Sequence, residues 1–260
     1  MRIEMKLTQL NLEGKNKVEV AISRLQEFEP QEGYHLAFSG GKDSIVVYDL
    51  AVKAEIKFDA HYNITGIDPP ELVHFIREHY PSLVWERPIE NIWHLVEKKG
   101  LPRRNARFCC EYLKEHSGAG RVVVTGVRWE ESWRRKRRAM VETCRWVKAK
   151  SFLHPIIDWS TAEVWEYIRE ERLPYCSLYD EGFHRLGCVL CPMTTARQTL
   201  RDAERWPKIA AAWFRACQRY YARGTEGVKR WSSAEDMFSW WLSRMAIQKE
   251  VDDNQPSMFV

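Results

Sequence analysis

Leu36-Ala-Phe-Ser-Gly-Gly-Lys-Asp-Ser-Ile-Val-Val-Tyr-Asp-Leu50 is the stretch from which the rest of the chain can be read. Tyr34 to Phe38 is a short apolar run suited to a buried strand. Ser39-Gly40-Gly41 makes a turn that needs flexible backbone, and apolar residues recur at helical spacing from Ile45 to Ala54. A strand, a glycine turn and a helix start aim backbone N–H groups and the positive end of a helix dipole at one spot, which suits a phosphate. Gly40 and Gly41 let the backbone approach an anion closely because neither carries a Cβ. Ser39 and Ser44 add hydroxyl donors and Lys42 a mobile positive charge, while Asp43 orients the loop or holds Mg²⁺ through water. The spacing is not that of a Walker A loop. The plainer reading is a Gly-Gly turn in an ordinary α/β unit, and the strand and helix on either side favour the phosphate site over it.

Outward from this loop, the pattern predicts a leading helix over Lys17–Phe28 and strands at Tyr34–Phe38, Ala60–Ile64, Leu83–Glu86 and Arg121–Thr125, with helical patterns between them. Alternating strands and helices imply a parallel sheet covered on both faces, and ligands then bind beyond the carboxyl ends of the strands. Ser39, Thr65 and Gly126 follow three of these strands and are expected to line one crevice. From Thr161 the pattern becomes mostly helical, over Thr161–Glu171, Thr195–Ala222 and Ser232–Glu250, with Ser160 as N-cap and Glu163 at the third helical position. This divides the chain into an α/β part over 1–160 and a helical part over 161–260, packed as one compact unit. Val251 to Val260 reads as a loose tail.

The 260 residues suffice for a full core, and the composition is that of a globular protein. Met1 to Val20 mixes charges throughout and no apolar run approaches membrane-spanning length, so a cytoplasmic protein without a membrane partner is expected. A formal net charge of +4 identifies no partner. Its distribution is more specific: Arg134 to Arg138 is a dense basic run, followed by Arg145, Lys148 and Lys150. The tryptophans Trp129, Trp133 and Trp146 interleave with it, as phosphate contact plus base stacking requires, although such runs are often solvated loops. Trp206, Trp213, Trp240 and Trp241 stand at helical spacing and read as core.

Seven cysteines in such a chain point to metal or redox chemistry rather than disulfides. Cys109 and Cys110 are adjacent, and Cys188-Val-Leu-Cys191 is a C-x-x-C pair. Together they offer four thiolates, the number that a [4Fe–4S] cube needs and that tetrahedral Zn²⁺ also takes. Cys217, inside a helical run with Trp213, Phe214 and Tyr220, reads as packing.

Loop and cysteines together resemble one family. Ser39-Gly-Gly-Lys-Asp-Ser44 looks like the PP-loop of N-type ATP pyrophosphatases, and Tyr34 to Trp241 resembles the phosphoadenosine phosphosulfate reductase superfamily. The resemblance implies a Rossmann-like fold of the adenine nucleotide alpha-hydrolase (HUP) kind, a parallel sheet flanked by helices. Cys109-Cys110 with Cys188 and Cys191 is similar to the cluster motif of the adenylylsulfate reductases, and Lys114 matches a lysine that those enzymes keep near the cluster. Thr65-Gly66 with Pro70-Glu71 is similar to their second nucleotide motif. Thr125-Gly126-Val-Arg128, followed by Ser132, resembles the loop that contacts substrate phosphate or sulfate. Pro155 to Trp159 and Tyr179 to Cys188 match the segment leading into the C-x-x-C.

Two departures redirect the expectation. The reductases carry a catalytic cysteine in a C-terminal tail, and Val251 to Val260 contains none, which leaves no nucleophile for an enzyme S-sulfonate. The reductases usually have a degenerate loop, whereas this chain keeps Ser-Gly-Gly-Lys-Asp-Ser. Both point towards ATP with Mg²⁺ and to the cluster-containing ATP pyrophosphatases of sulfur-insertion pathways such as DNA phosphorothioation. The implied site is Ser39, Gly40, Gly41, Lys42, Asp43, Ser44, Thr65, Gly66, Gly126 and Arg128 for the nucleotide, with Lys42, Asp43 and Arg128 as the catalytic groups. Arg128 and Arg134–Arg138 would hold a nucleic-acid acceptor, and a cysteine desulfurase or carrier would donate sulfur. The alternatives are a reductase of adenylylsulfate or phosphoadenylylsulfate using an external thiol, and a nucleic-acid-binding subunit with a vestigial nucleotide site. Glu71, Glu130 and Glu131 read as surface residues before metal or base groups.

Overall fold

The computed structural model describes residues 14–144 and 149–243. The expected tail at 251–260, the end of the run at 232–250 from residue 244 onward, and Arg145, Trp146 and Lys148 lie outside the described residues.

The elements follow the sequence pattern closely. Helix α1 (Lys17–Glu27) opens on a capping box in which Asn16 accepts from the Glu19 amide and Glu19 answers at the Asn16 amide. Strand β1 (Tyr34–Phe38) leads through the glycine turn into α2 (Lys42–Lys53), so the second half of the loop is the helix's first turn. Then come β2 (Phe58–Asn63), α3 (Pro70–His79), β3 (Val84–Glu86) and α4 (Ile92–Lys99). Helix α5 (Phe108–Cys110) runs on as one π-turn over Glu111–Glu115, before β4 (Val122–Val124). Strands β5 (Val141–Thr143) and β6 (Ser151–Leu153) complete the sheet, ahead of α6 (Thr161–Glu170). The order is β3-β2-β1-β4-β6-β5, parallel except for β5, which runs antiparallel to β6 at the edge. The α/β fold class expected from the sequence is thus the one observed. The β5–β6 pair was not foreseen: Val141-Glu-Thr143 and Ser151-Phe-Leu153 lack an unbroken apolar run like Val122-Val-Val124.

Tertiary contacts divide the chain into two units, Met1–Ile92 with Phe108–Cys188, and Trp93–Arg107 with Val189–Val260. The boundary differs from a division at residue 160, and α6 belongs to the first unit. The reason is its apolar face: Val164, Tyr167 and Ile168 are buried, and the Tyr167 hydroxyl donates to Asp49 of α2 at 2.6 Å. The expected cap is in place, with Ser160 accepting from the Glu163 amide and Glu163 answering at the Ser160 amide.

The second unit holds α7 (Ala196–Arg205), α8 (Pro207–Ala222) and α9 (Ala234–Ser243). The run expected over Thr195–Ala222 is two helices, because Pro207 has no N–H to continue α7 and instead starts α8. Trp213 and Trp241 are fully buried with rings 5.0 Å apart, and the Trp241 indole N–H donates to the Pro102 carbonyl at 2.7 Å. Trp206 is buried as well, while Trp240 is half-buried against Trp231. Cys217 is fully buried, and that burial pushes its thiol up to about 12, the state of an inert packing residue.

Candidate nucleotide and thiolate site

The loop between β1 and α2 is fixed by its own hydroxyls. Ser44 Oγ accepts from the Ser39 amide at 3.2 Å and donates to the Gly41 carbonyl at 2.8 Å, and Ser39 Oγ lies 3.2 Å from it. Gly40 has φ +71°, and a Cβ there would stand 2.7 Å from Leu72 Cδ1 and 2.8 Å from the Ile76 side chain of α3, so any other residue would strain the backbone and displace those side chains. Gly41 is the N-cap of α2 and brings no capping side chain. The Lys42 amide donates to the Tyr179 hydroxyl at 2.9 Å, a contact not anticipated, although Tyr179 opens the family-like segment leading to Cys188.

Lys42 Nζ pairs with Asp43 Oδ2 at 2.8 Å, and Arg128 Nε pairs with Asp43 Oδ1 at 2.7 Å. One carboxylate therefore bridges both cations. Arg128 is only 1% exposed, and its remaining donors meet the Trp159 carbonyl at 3.0 Å, Glu130 at 3.2 Å and Thr161 Oγ1 at 3.2 Å. In this geometry its guanidinium positions Asp43 and is not turned outward to an acceptor's phosphate. Glu130 and Glu131 accordingly serve Arg128, Glu131 through the Arg128 amide at 2.9 Å. Gly126 packs where a Cβ would meet Asp43 backbone carbon at 2.8 Å and oxygen at 2.9 Å, so its smallness sets the seat of the first turn of α2. Ser39, Thr65 and Gly126 follow the neighbouring strands β1, β2 and β4 and stand at the same end of the sheet. Thr65 turns its hydroxyl inward, donating to Asp68 at 2.7 Å, while Gly66 is exposed with φ +74°.

Thr125, beside Gly126, shares a 2.7 Å hydrogen bond with the Nδ1 of fully buried His154. Burial, helped by nearby Arg138 and opposed by Glu142, lowers the imidazole to about 4. The folded state holds it neutral while the unfolded chain takes a proton below about 6.5, so this contribution is complete above that pH and is lost as pH falls towards about 4. Urea titrations of the parent chain should lose stability over that window, and His154→Asn should flatten the loss. An unchanged slope in the variant would remove His154 as its source.

Among the cysteines, Cys109, Cys110 and Cys188 belong to the first unit and Cys191 to the second. All are free thiols; Cys109 is buried and the others are half-buried. The Cys188 thiolate is the main cause that raises the Lys114 ammonium above the usual lysine range, with Asp68 and Cys110 adding to it against desolvation, and Lys114 hydrogen-bonds Cys188. Asp68, which accepts from the Tyr62 hydroxyl at 2.6 Å, thus links the end of β2 to this thiolate group.

The basic run is a short 3₁₀ turn over Arg135–Arg137. Arg135 pairs with Glu131 and Arg138 with Glu142, while the Arg137 guanidinium lies 3.9 Å over the ring of Trp133, which is 66% exposed. Internal pairing therefore absorbs part of the charge that the sequence counts as free. Trp129 donates its indole N–H to the Arg138 carbonyl at 2.8 Å and is fixed by it. Among the described residues no helix is long and apolar enough to cross a membrane.

A protein-family model, the phosphoadenosine phosphosulfate reductase domain, matches residues 33–194, more than half of the chain. An uncharacterized protein of Methanocaldococcus jannaschii is 30% identical over 71% of this chain and 41% of its own length. Adenosine 5'-phosphosulfate reductase 2 of Bacillus subtilis is 28% identical over 65% of this chain and 77% of its own. A probable FAD synthase of Schizosaccharomyces pombe is 30% identical over 63% and 62%. The chain spans less than half the length of the two archaeal relatives it matches. With the matched segment running from the start of β1 through the C-x-x-C, the chain belongs to the phosphoadenosine phosphosulfate reductase domain family.

Proposed function

We propose that the chain is an ATP pyrophosphatase of this family that adenylates an acceptor for sulfur insertion, with a nucleic acid as the acceptor. The observation that carries the reading is the intact loop, in which two glycines, two hydroxyls and the first turn of α2 surround the Lys42–Asp43–Arg128 ion-pair chain. Relatives named as an adenosine 5'-phosphosulfate reductase and a probable FAD synthase support an adenine nucleotide as the ligand here.

In this reading the β,γ-phosphates of ATP lie on the 39–44 loop and adenine near Thr65 and Gly66. Lys42 Nζ shares its charge between Asp43 and the departing pyrophosphate, where a preplaced cation is worth most. Asp43, held on its other oxygen by Arg128, keeps the ammonium from swinging away and faces the place where Mg²⁺ would neutralise the phosphates. An acceptor oxygen attacks the α-phosphorus, the α–β bridge breaks, and pyrophosphate leaves. A carrier persulfide then attacks the activated centre, AMP leaves, and a second thiol cleaves the S–S bond, leaving sulfur on the acceptor and the carrier as a disulfide. Trp133 and the run at 134–138 would take the acceptor strand by stacking and phosphate contact.

Four free thiols, Cys109 buried and Cys110, Cys188 and Cys191 half-buried, supply the donor set that an iron–sulfur centre takes. Cys109, Cys110, Cys188 and Cys191 would hold a [4Fe–4S] cluster. Bound there, it would supply a redox-active centre and a covalent tie among chain segments.

Nucleotide choice tests the reading. ATP with Mg²⁺ should bind more tightly than adenylylsulfate, and Lys42→Ala should weaken ATP binding by about 1–3 kcal/mol, the loss of a charge-assisted hydrogen bond. Calorimetric titration of both nucleotides decides it. Tighter binding of adenylylsulfate, with sulfite released on adding a thiol, would establish a reductase instead.

A further inference from the structure

A parallel sheet covered by helices normally presents apolar residues on both faces. One face of β1 and β2 departs from this. The register sets His35 opposite Asp59 and Ala37 opposite His61, and side chains two apart share a face, so His35, Asp59 and His61 converge. Their ligand atoms all lie within 4.8 Å of one another, and the two imidazole rings stack with centroids 4.0 Å apart. His35 is 2% exposed. We propose that His35, Asp59 and His61 bind a divalent transition-metal ion of the zinc class, with Glu86 of β3 orienting His61 from its Nδ1 side. The inference is independent of the ATP reading.

Two neutral imidazoles and a carboxylate are a donor set suited to such an ion, leaving a position for water or a second carboxylate. The outer contacts are those that orient metal ligands. Ser117 Oγ lies 2.8 Å from His35 Nε2, fixing that ring, and Arg121 holds both oxygens of Asp59 at 2.5 and 2.7 Å. His61 Nδ1 is buried and lies 2.6 Å from Glu86 Oε1, the placement of a carboxylate that orients a metal-bound imidazole, while His61 Nε2 faces Asp59 Oδ2. The Asp59 side chain is 41% exposed, which opens the group to solvent, and a cleft lined by Glu86, Ser117 and Gly118 adjoins it. The competing arrangement is a closed ion-pair network, with a protonated His61 held between Asp59 and Glu86.

Zinc added at one equivalent to the anaerobically prepared full chain, with its iron in place, separates the two. X-ray absorption at the zinc edge should show about one ion per chain with only nitrogen and oxygen neighbours near about 2.0–2.1 Å and imidazole outer shells. His61→Gln should lose this ion while keeping its iron and its circular dichroism. Ser117→Ala should weaken zinc binding by about 10–100-fold, as outer-shell losses do. A wild-type chain that retains no zinc after dialysis, or holds it with sulfur neighbours near about 2.3 Å, overturns the proposal whatever the variants do. So does a His61→Gln chain that keeps the ion.

Discussion

A Cys188→Ser chain is expected to leave an anaerobic preparation colourless and nearly free of iron, where the proposed cluster predicts a brown parent chain with about one [4Fe–4S] centre. The expectation rests on Cys188 being the thiolate that most raises the Lys114 ammonium and hydrogen-bonds it, so its charge is held in place beside Cys110. A serine hydroxyl has a far higher pKa than a thiol and is a poor iron ligand, and three remaining thiolates close the cube badly. The cluster would also close the long stretch of chain between Cys110 and Cys188, so its loss should lower the thermal midpoint. Serine at Cys109, Cys110 or Cys191 should act in the same direction. Iron, sulfide and zinc analysis of parent and variants is the check. Stoichiometric zinc without iron in the parent would replace the cluster by a Cys₄ zinc site.

Arg128→Ala should cost about 3–5 kcal/mol of folding stability, the range for removing one partner of a buried ion pair. Arg128 is among the largest fully buried side chains, and its loss leaves Asp43 paired with Lys42 alone and removes the donor to the Trp159 carbonyl. Glu130, 52% exposed, remains solvated and adds little. Asp43 then also loses the group that opposes Lys42, so turnover should fall in the fraction that still folds. Urea titration gives the first quantity, and pyrophosphate release at a temperature well below unfolding gives the second. A stability change below about 1 kcal/mol would mean that water replaces the guanidinium without penalty.

The sequence exposed what is local and periodic. The strand–turn–helix over Tyr34 to Lys53, the cap at Ser160 and Glu163, and the buried tryptophans of α8 and α9 were each legible because spacing or capping chemistry announces them. What depends on register was not. His35 and Asp59 become neighbours only when β1 and β2 pair, and nothing in the 23 residues between them marks that. Arg128 read as a phosphate ligand from its loop, yet its burial against Trp159 and Thr161 is set by α6 packing over it. Tyr179 on the Lys42 amide and Gly126 on Asp43 are likewise contacts across long sequence separations. The basic run showed its charge but hid its partners, Glu131 and Glu142.

ATP labelled at the α-phosphate in one sample and at the γ-phosphate in another, given to the anaerobic protein with Mg²⁺ and DNA, tests the central claim most directly. Cleavage between the α- and β-phosphates predicts γ-label in pyrophosphate and α-label in AMP or an adenylated acceptor, both abolished or strongly reduced in Lys42→Ala. Release of γ-label as orthophosphate with ADP remaining, or no ATP turnover alongside thiol-dependent sulfite production from adenylylsulfate, would contradict it.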